Sequence, residues 1–185
     1  SHIARMRADG IPEYLVWPEG RRDDYSAVVY IEPSDVRNRR ALGYDLLTDA
    51  ARRQAAFEAR DAGYPVMTDK IDLLQGANGQ SATGALIFMP IYRQGAPLQT
   101  AEQRRSALLG WSYTALHIDK LIQSYLSIEY TELRKHIALR IYEGTQPVAD
   151  NLIYASHAAN PSPSISSNYQ TQHRVLVHDR TWTIQ

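Results

Sequence analysis

The sequence predicts an α+β fold built on antiparallel sheets, and three features carry that prediction. Helical periodicity is confined to two stretches, around residues 48–63 and 118–126. The strand-like runs between them do not alternate with helices in the strict order that a doubly wound parallel sheet requires. From about residue 133 onward the texture is short strands and turns alone.

The elements follow in order. Residues 1–9 read as the end of a helix that begins further upstream, stopped by Gly10 and Pro12. Residues 17–20 (WPEG) read as a turn. Residues 27–31 (AVVYI) are β-branched and aromatic and are bounded by Pro33, so they predict a strand. The first helix is expected to start with Thr48 as its cap, with Asp49 in the first turn where the helix dipole favours a carboxylate. Ala51, Ala55, Ala59 and Ala62 make a narrow small-residue face suited to close packing on a sheet, and Gly63 supplies the left-handed stop. Short strands are expected at 65–67 and 71–74, a turn at 76–81, and longer strands at 85–92 and 108–113.

The second helix has the clearest period. Ile118, Leu121, Ile122, Tyr125 and Leu126 fall on one face. Strands then follow at 136–142, 152–154, 173–177 and 182–184, and the Ser-, Pro- and Asn-rich run 158–168 reads as a solvent loop. A boundary between two units is expected near 127–133.

Composition narrows the function. The 185 residues include 44% hydrophobic and 22% charged residues, ordinary for a globular protein. A chain of this size buries roughly two thirds of its unfolded surface, so it needs no disulfide or metal staple, and it has no Cys. That absence is mildly favoured in an oxidising compartment. The formal net charge is zero, which argues against a nucleic-acid partner. No apolar run approaches the ~20 residues that cross a bilayer. The opening Ser1-His2-Ile3, without Met, reads as a fragment carrying tag residue, so the missing membrane segment is expected to describe the fragment and not its parent.

Catalytic signatures are missing: there is no G-x-S-x-G elbow, Walker loop, G-x-G-x-x-G or H-E-x-x-H. His117 and Asp119 face different ways, as do His173 and His178, so neither pair is expected to hold a metal, and no cofactor is expected. The aromatic residues Tyr25, Tyr30, Tyr92, Trp111 and Tyr113 fit either a sheet core or the lining of a ligand cavity. Asp45 stands out because apolar neighbours surround it, and a buried carboxylate needs hydrogen bonds. It is expected either to cap a turn before Thr48 or to anchor a ligand in an apolar pocket.

Taken in order, the segments 25–33 (YSAVVYIEP), 43–49 (GYDLLTD), 59–63 (ARDAG), 67–74 (MTDKIDLL), 85–92 (ALIFMPIY), 109–113 (LGWSY) and 118–126 resemble the CHASE family of extracellular sensor domains, and agreement extends to 179–182 (DRTW). The resemblance implies two PAS-like antiparallel modules in tandem behind a long N-terminal stalk helix. Residues 1–13 would be what remains of the stalk, 14–127 the membrane-distal, ligand-binding module, and 128–185 the membrane-proximal one. The parent would be a membrane-anchored homodimeric receptor, a histidine kinase or nucleotide cyclase such as a diguanylate cyclase, with this part outside the inner membrane in the periplasm. The part itself would be a sensor and not an enzyme. Plant members bind cytokinins, through an Asp that matches Asp45 and the backbone of a residue that matches Met67. The stretch 75–78, where the plant proteins place further polar contacts, does not align securely. The expected ligand set is Asp45, Met67, Tyr30, Leu86, Phe88 and Trp111, for a cytokinin-like or other donor-bearing heterocycle. A purely structural dimerisation domain is the other reading the sequence leaves open.

Overall fold

The two strands that the sequence marks most strongly form a long antiparallel pair, one at the centre of a sheet and one at its edge. In the computed structural model, which describes residues 2–73, 82–129, 137–156 and 170–185 (backbone only at 127–129), strand β3 (Ala82–Tyr92) pairs antiparallel with β4 (Leu108–His117) over its whole length. The opposite edge of β3 takes two short strands in succession, β1 (Val66–Met67) and β2 (Ile71–Leu73). Between them Thr68 keeps contact, its N–H donating to the Leu86 carbonyl and its Oγ1 accepting the Leu86 N–H.

Alternation along the strands divides the interior into two cores. Leu86 and Phe88 point to one face with Val66, and their cross-strand partners Ala115 and Tyr113 point the same way. Helix α2 (Ala50–Ala62) covers that face with Ala55, Ala56 and Ala59, all buried, and the Trp111 indole N–H donates to the Ala56 carbonyl at 2.8 Å. The small-residue stripe does what its volume permits, since only methyl groups separate the helix backbone from the sheet. Burying Phe88 completely is worth about 1.5–3 kcal/mol. The helix starts one residue later than expected. Asp49 is the cap, accepting the Arg52 N–H, because the Thr48 hydroxyl is committed to the Asp45 carbonyl at 2.7 Å. Gly63 ends it with φ +80°.

Met67, Ala85 and Ile87 face the other way, into a core shared with helix α4 (Ile118–Glu129) and a second sheet. That sheet runs β6 (Leu152–Ala155), β5 (Arg140–Glu143), β8 (Arg180–Ile184), β7 (His173–Val177), antiparallel throughout. Ile141, Ile153, Tyr154 and Trp182 supply its side of the core. Of the predicted apolar face of α4, Ile118 is buried and Ile122 is half-buried, whereas Leu121 and Tyr125 are exposed. The α+β class and the two antiparallel sheets are therefore present. The loops expected at 76–81 and 158–168 and the boundary stretch 130–133 lie outside the described residues.

Polar contacts join the sheets as well. The Asp179 carboxylate accepts the Met67 N–H (3.2 Å), while Arg180 donates to the Met67 carbonyl from Nε (3.1 Å) and Nη2 (2.9 Å) and pairs with Asp69. Lys70 N–H donates to Glu143 at 3.0 Å.

Two further differences from the sequence reading concern local structure. Helix α3 (Ala101–Ala107), between β3 and β4, was not expected; Thr100 and Gln103 form a reciprocal capping box at its start. Residues 27–31 are extended but do not form a strand. They bond on one side only, to the turn at Gly43: Val28 N–H to Tyr44 O (3.0 Å), Gly43 N–H to Val28 O (2.8 Å), Leu46 N–H to Ser26 O (3.0 Å). Their other side meets a cavity and not β4, so β-branched composition alone found no second partner.

Candidate functional site

The cavity has a volume of about 770 Å³, within the size range of small-molecule sites. One wall is the segment 26–38 and the other is β4 with the start of α4. On β4 the residues from Trp111 to Ala115 all contribute, odd and even alike. Successive side chains point to opposite faces of a sheet, so the cavity runs along the free edge of β4. Backbone groups of two extended segments thus face it from both sides. Trp111 and Tyr113 add half-buried rings, and burial raises the Tyr113 phenol above its usual value, so it remains a neutral O–H.

Charged groups of both signs line this space. Glu32 accepts from the Tyr30 hydroxyl (3.1 Å) and the Ser34 N–H (3.0 Å), and Asp35 accepts the Asn38 N–H (2.7 Å). At the β4–α4 junction stand His117, Lys120 and, from the opposite wall, Arg37. The imidazole of His117 titrates below the ordinary histidine value, first because of burial and then because Lys120 and Arg37 are positive and close.

Of the residues expected to bind a ligand, the structure brings Tyr30 and Trp111 together on the cavity, from opposite walls. Asp45 lies one layer behind. It is fully buried; its Oδ1 accepts the N–H groups of Ser26 (2.9 Å) and Leu47 (3.2 Å), while Oδ2 is 3.4 Å from Arg22 Nη1 with no directed hydrogen bond. It caps the short turn Leu46–Thr48 and holds Ser26, which lines the cavity. Met67 is on the far face of the sheet, and its N–H and carbonyl are taken by Asp179 and Arg180, so its backbone has nothing left for a ligand. Leu86 and Phe88 are buried beneath α2 and belong to the core. The stretch 75–78 lies outside the described residues. Sequence reasoning passed over Arg37, His117 and Lys120 as part of a site, since 80 residues separate the first two and no local pattern links them.

The CHASE domain family matches residues 1–154, most of the chain and all of the first sheet. The chain belongs to the CHASE domain family. Strands β7 and β8 lie beyond the matched stretch. This CHASE domain is 25% identical over 157 residues to "Hybrid signal transduction histidine kinase A" of Dictyostelium discoideum; the match covers 82% of this chain and 7% of that protein. CHASE domains are sensor domains of signalling receptors such as histidine kinases. Among the described residues no cluster of three His, Asp or Glu side chains is placed to hold a metal ion, and no helix is long and apolar enough to cross a membrane.

Proposed function

We propose that this CHASE domain is the periplasmic, ligand-sensing part of a membrane-anchored, homodimeric receptor and takes a small molecule into the cavity between β4 and segment 26–38. The observation that carries the reading is the cavity itself, which combines the rings of Tyr30, Trp111 and Tyr113 with two extended backbone edges. A donor-bearing heterocycle, adenine-like compounds first, suits such walls: its flat body lies on Trp111 and Tyr113 and its N–H groups meet backbone carbonyls. Residues 14–127 would form the PAS-like distal module, 128–185 the proximal module, and 1–13 stalk. A ligand that bridges both walls binds the closed arrangement better than the open one, and that difference in affinity is what shifts the receptor between states. The output would be a cytoplasmic kinase or a diguanylate or other nucleotide cyclase.

Melting a purified sample against a panel of neutral purines and related heterocycles tests this. At ~100 times Kd a ligand stabilises the fold by about 2.7 kcal/mol, roughly 5–10 °C in Tm for a chain of this size. Tyr30→Ala and Trp111→Ala should each reduce the shift. Tyr30 is 73% exposed, so its replacement leaves the fold intact if Trp111→Ala does not. A ligand whose shift survives both substitutions would place recognition elsewhere.

A further inference from the structure

The cavity's charge is more specific than its shape. Both carboxylates on its lining already accept local hydrogen bonds, Glu32 from Tyr30 and Ser34 and Asp35 from Asn38. The cations do not share in this. Among the described residues neither the Arg37 guanidinium nor the Lys120 ammonium has a hydrogen bond or ion pair. They come from opposite walls, and His117 stands with them in the same space. Arg37 and Lys120 thus approach His117 from opposite walls of the cavity, and the two acids of the lining are engaged with their own local donors. Like charges in one place are unfavourable unless something negative enters. Arg52, Arg105 and Arg180, by contrast, pair with Asp49, Asp61 and Asp69.

Resting on the reading of this cavity as the ligand site, we propose that the ligand carries an anionic group, a carboxylate or a phosphate, which sits between Arg37, His117 and Lys120 while its flat body lies along β4 against Trp111 and Tyr113. The geometry also sets a length. Four residues separate Tyr113 from His117, and at about 3.3 Å each they place the two ends roughly 13 Å apart. A nucleoside with an acidic 5′ group spans this, and a bare heterocycle does not. Arg37 presents a planar fork of donors suited to two oxygens at once, and Lys120 adds a compact charge. His117 can donate a hydrogen bond while neutral, so the site does not need a third full charge to close around the anion.

Three matched probes test the proposal by calorimetry: adenosine, adenosine 5′-carboxylate and adenosine 5′-monophosphate. A hydrogen bond to a charged group corresponds to a factor of about ten or more in affinity, so both acids should bind at least about tenfold more tightly than adenosine. The double variant Arg37→Gln, Lys120→Gln should abolish that preference, and both residues are exposed, so the fold should tolerate it. His117→Gln, which keeps a donor, should retain most of it. A gain for both acids assigns the site to anions in general, and a gain for the monophosphate alone assigns it to phosphate. The inference is overturned if adenosine binds as tightly as its acids, if the double variant keeps the preference, or if neither acid binds at millimolar concentration. Adenosine binding that matches its acids and is lost in Trp111→Ala would leave the cavity reading standing without its anion. Acids that bind more tightly than adenosine but are unaffected by Trp111→Ala and Tyr30→Ala would place the ligand outside this cavity and defeat both readings.

Discussion

Gly43 and Gly95 share a left-handed backbone, with φ +79° and +76°, but sit in opposite surroundings, and substituting each by Ala separates steric crowding from conformational cost. A Cβ at Gly95 meets nothing within 4 Å, so Gly95→Ala bears only the left-handed penalty, about 1–2 kcal/mol. A Cβ at Gly43 would lie 1.8 Å from the Leu15 carbonyl oxygen, far inside contact, and the obstacle is backbone that cannot rotate away. Relief requires the bridged segments around residues 15–17 and 43–45 to part. That strains or breaks Trp17 N–H to Gly43 O (2.9 Å), Gly43 N–H to Val28 O (2.8 Å) and Asp45 N–H to Trp17 O (2.7 Å). At about 0.5–1.5 kcal/mol each, with the left-handed penalty added, Gly43→Ala should cost about 3–6 kcal/mol. This is a large share of the ~5–15 kcal/mol that holds a domain together. Urea titration of both variants measures it, and ligand binding by Gly43→Ala should weaken because Val28 is part of the cavity wall. Equal losses of stability for the two variants would show that this junction yields freely and that the reasoning from Gly43 is wrong.

Asp45→Leu should destabilise by about 2–5 kcal/mol, since the Ser26 and Leu47 N–H groups lose their acceptor inside the protein, whereas Asp45→Asn keeps Oδ1 and should cost much less; denaturation curves of the pair check this. Replacing Arg180 by Met should loosen the contact between the sheets, seen as faster amide exchange at Met67 with smaller changes in β3. Acid should act through two groups. The Arg105 and Arg60 side chains bonded to Asp61 hold its carboxyl well below the ordinary range, so its contribution is full above about pH 4 and is lost as pH falls further; the pair is open to solvent, so Arg105→Gln should remove only a small part of that dependence, read from denaturation midpoints against pH. His117 is depressed too, which makes its contribution full above about pH 6.5 and lost as pH drops through its lower folded value; ring resonances followed against pH should show it titrating below the ordinary histidine value.

What was legible in the sequence was whatever a short period encodes. Ala55 and Ala59 announced α2, and the apolar run from Ala85 to Tyr92 announced β3, because both patterns reflect burial against one neighbour. The short α3 left only its capping box as a trace. Residues 27–31 looked like a strand because composition reports the tendency to be extended, and it does not report whether a partner is present on each side. Met67 shows the limit most plainly. Its backbone is claimed by Asp179 and Arg180, more than 110 residues further on, and nothing near Met67 in the sequence signals that. The cations of the cavity were hidden for the same reason: each is unremarkable alone.

The grip of Asp179 and Arg180 on Met67 also decides how the first sheet meets other molecules. A carboxylate on the N–H and a guanidinium on the carbonyl occupy the outward positions that a neighbouring strand would use. The β1 edge is therefore closed to an intruding chain, as edges must be if concentrated protein is not to stick to itself. The rim along β4 has no such cover, and the cavity lies directly against it. The two borders of this sheet thus differ in kind: side chains from the second sheet seal one, and the other is left open beside the cavity.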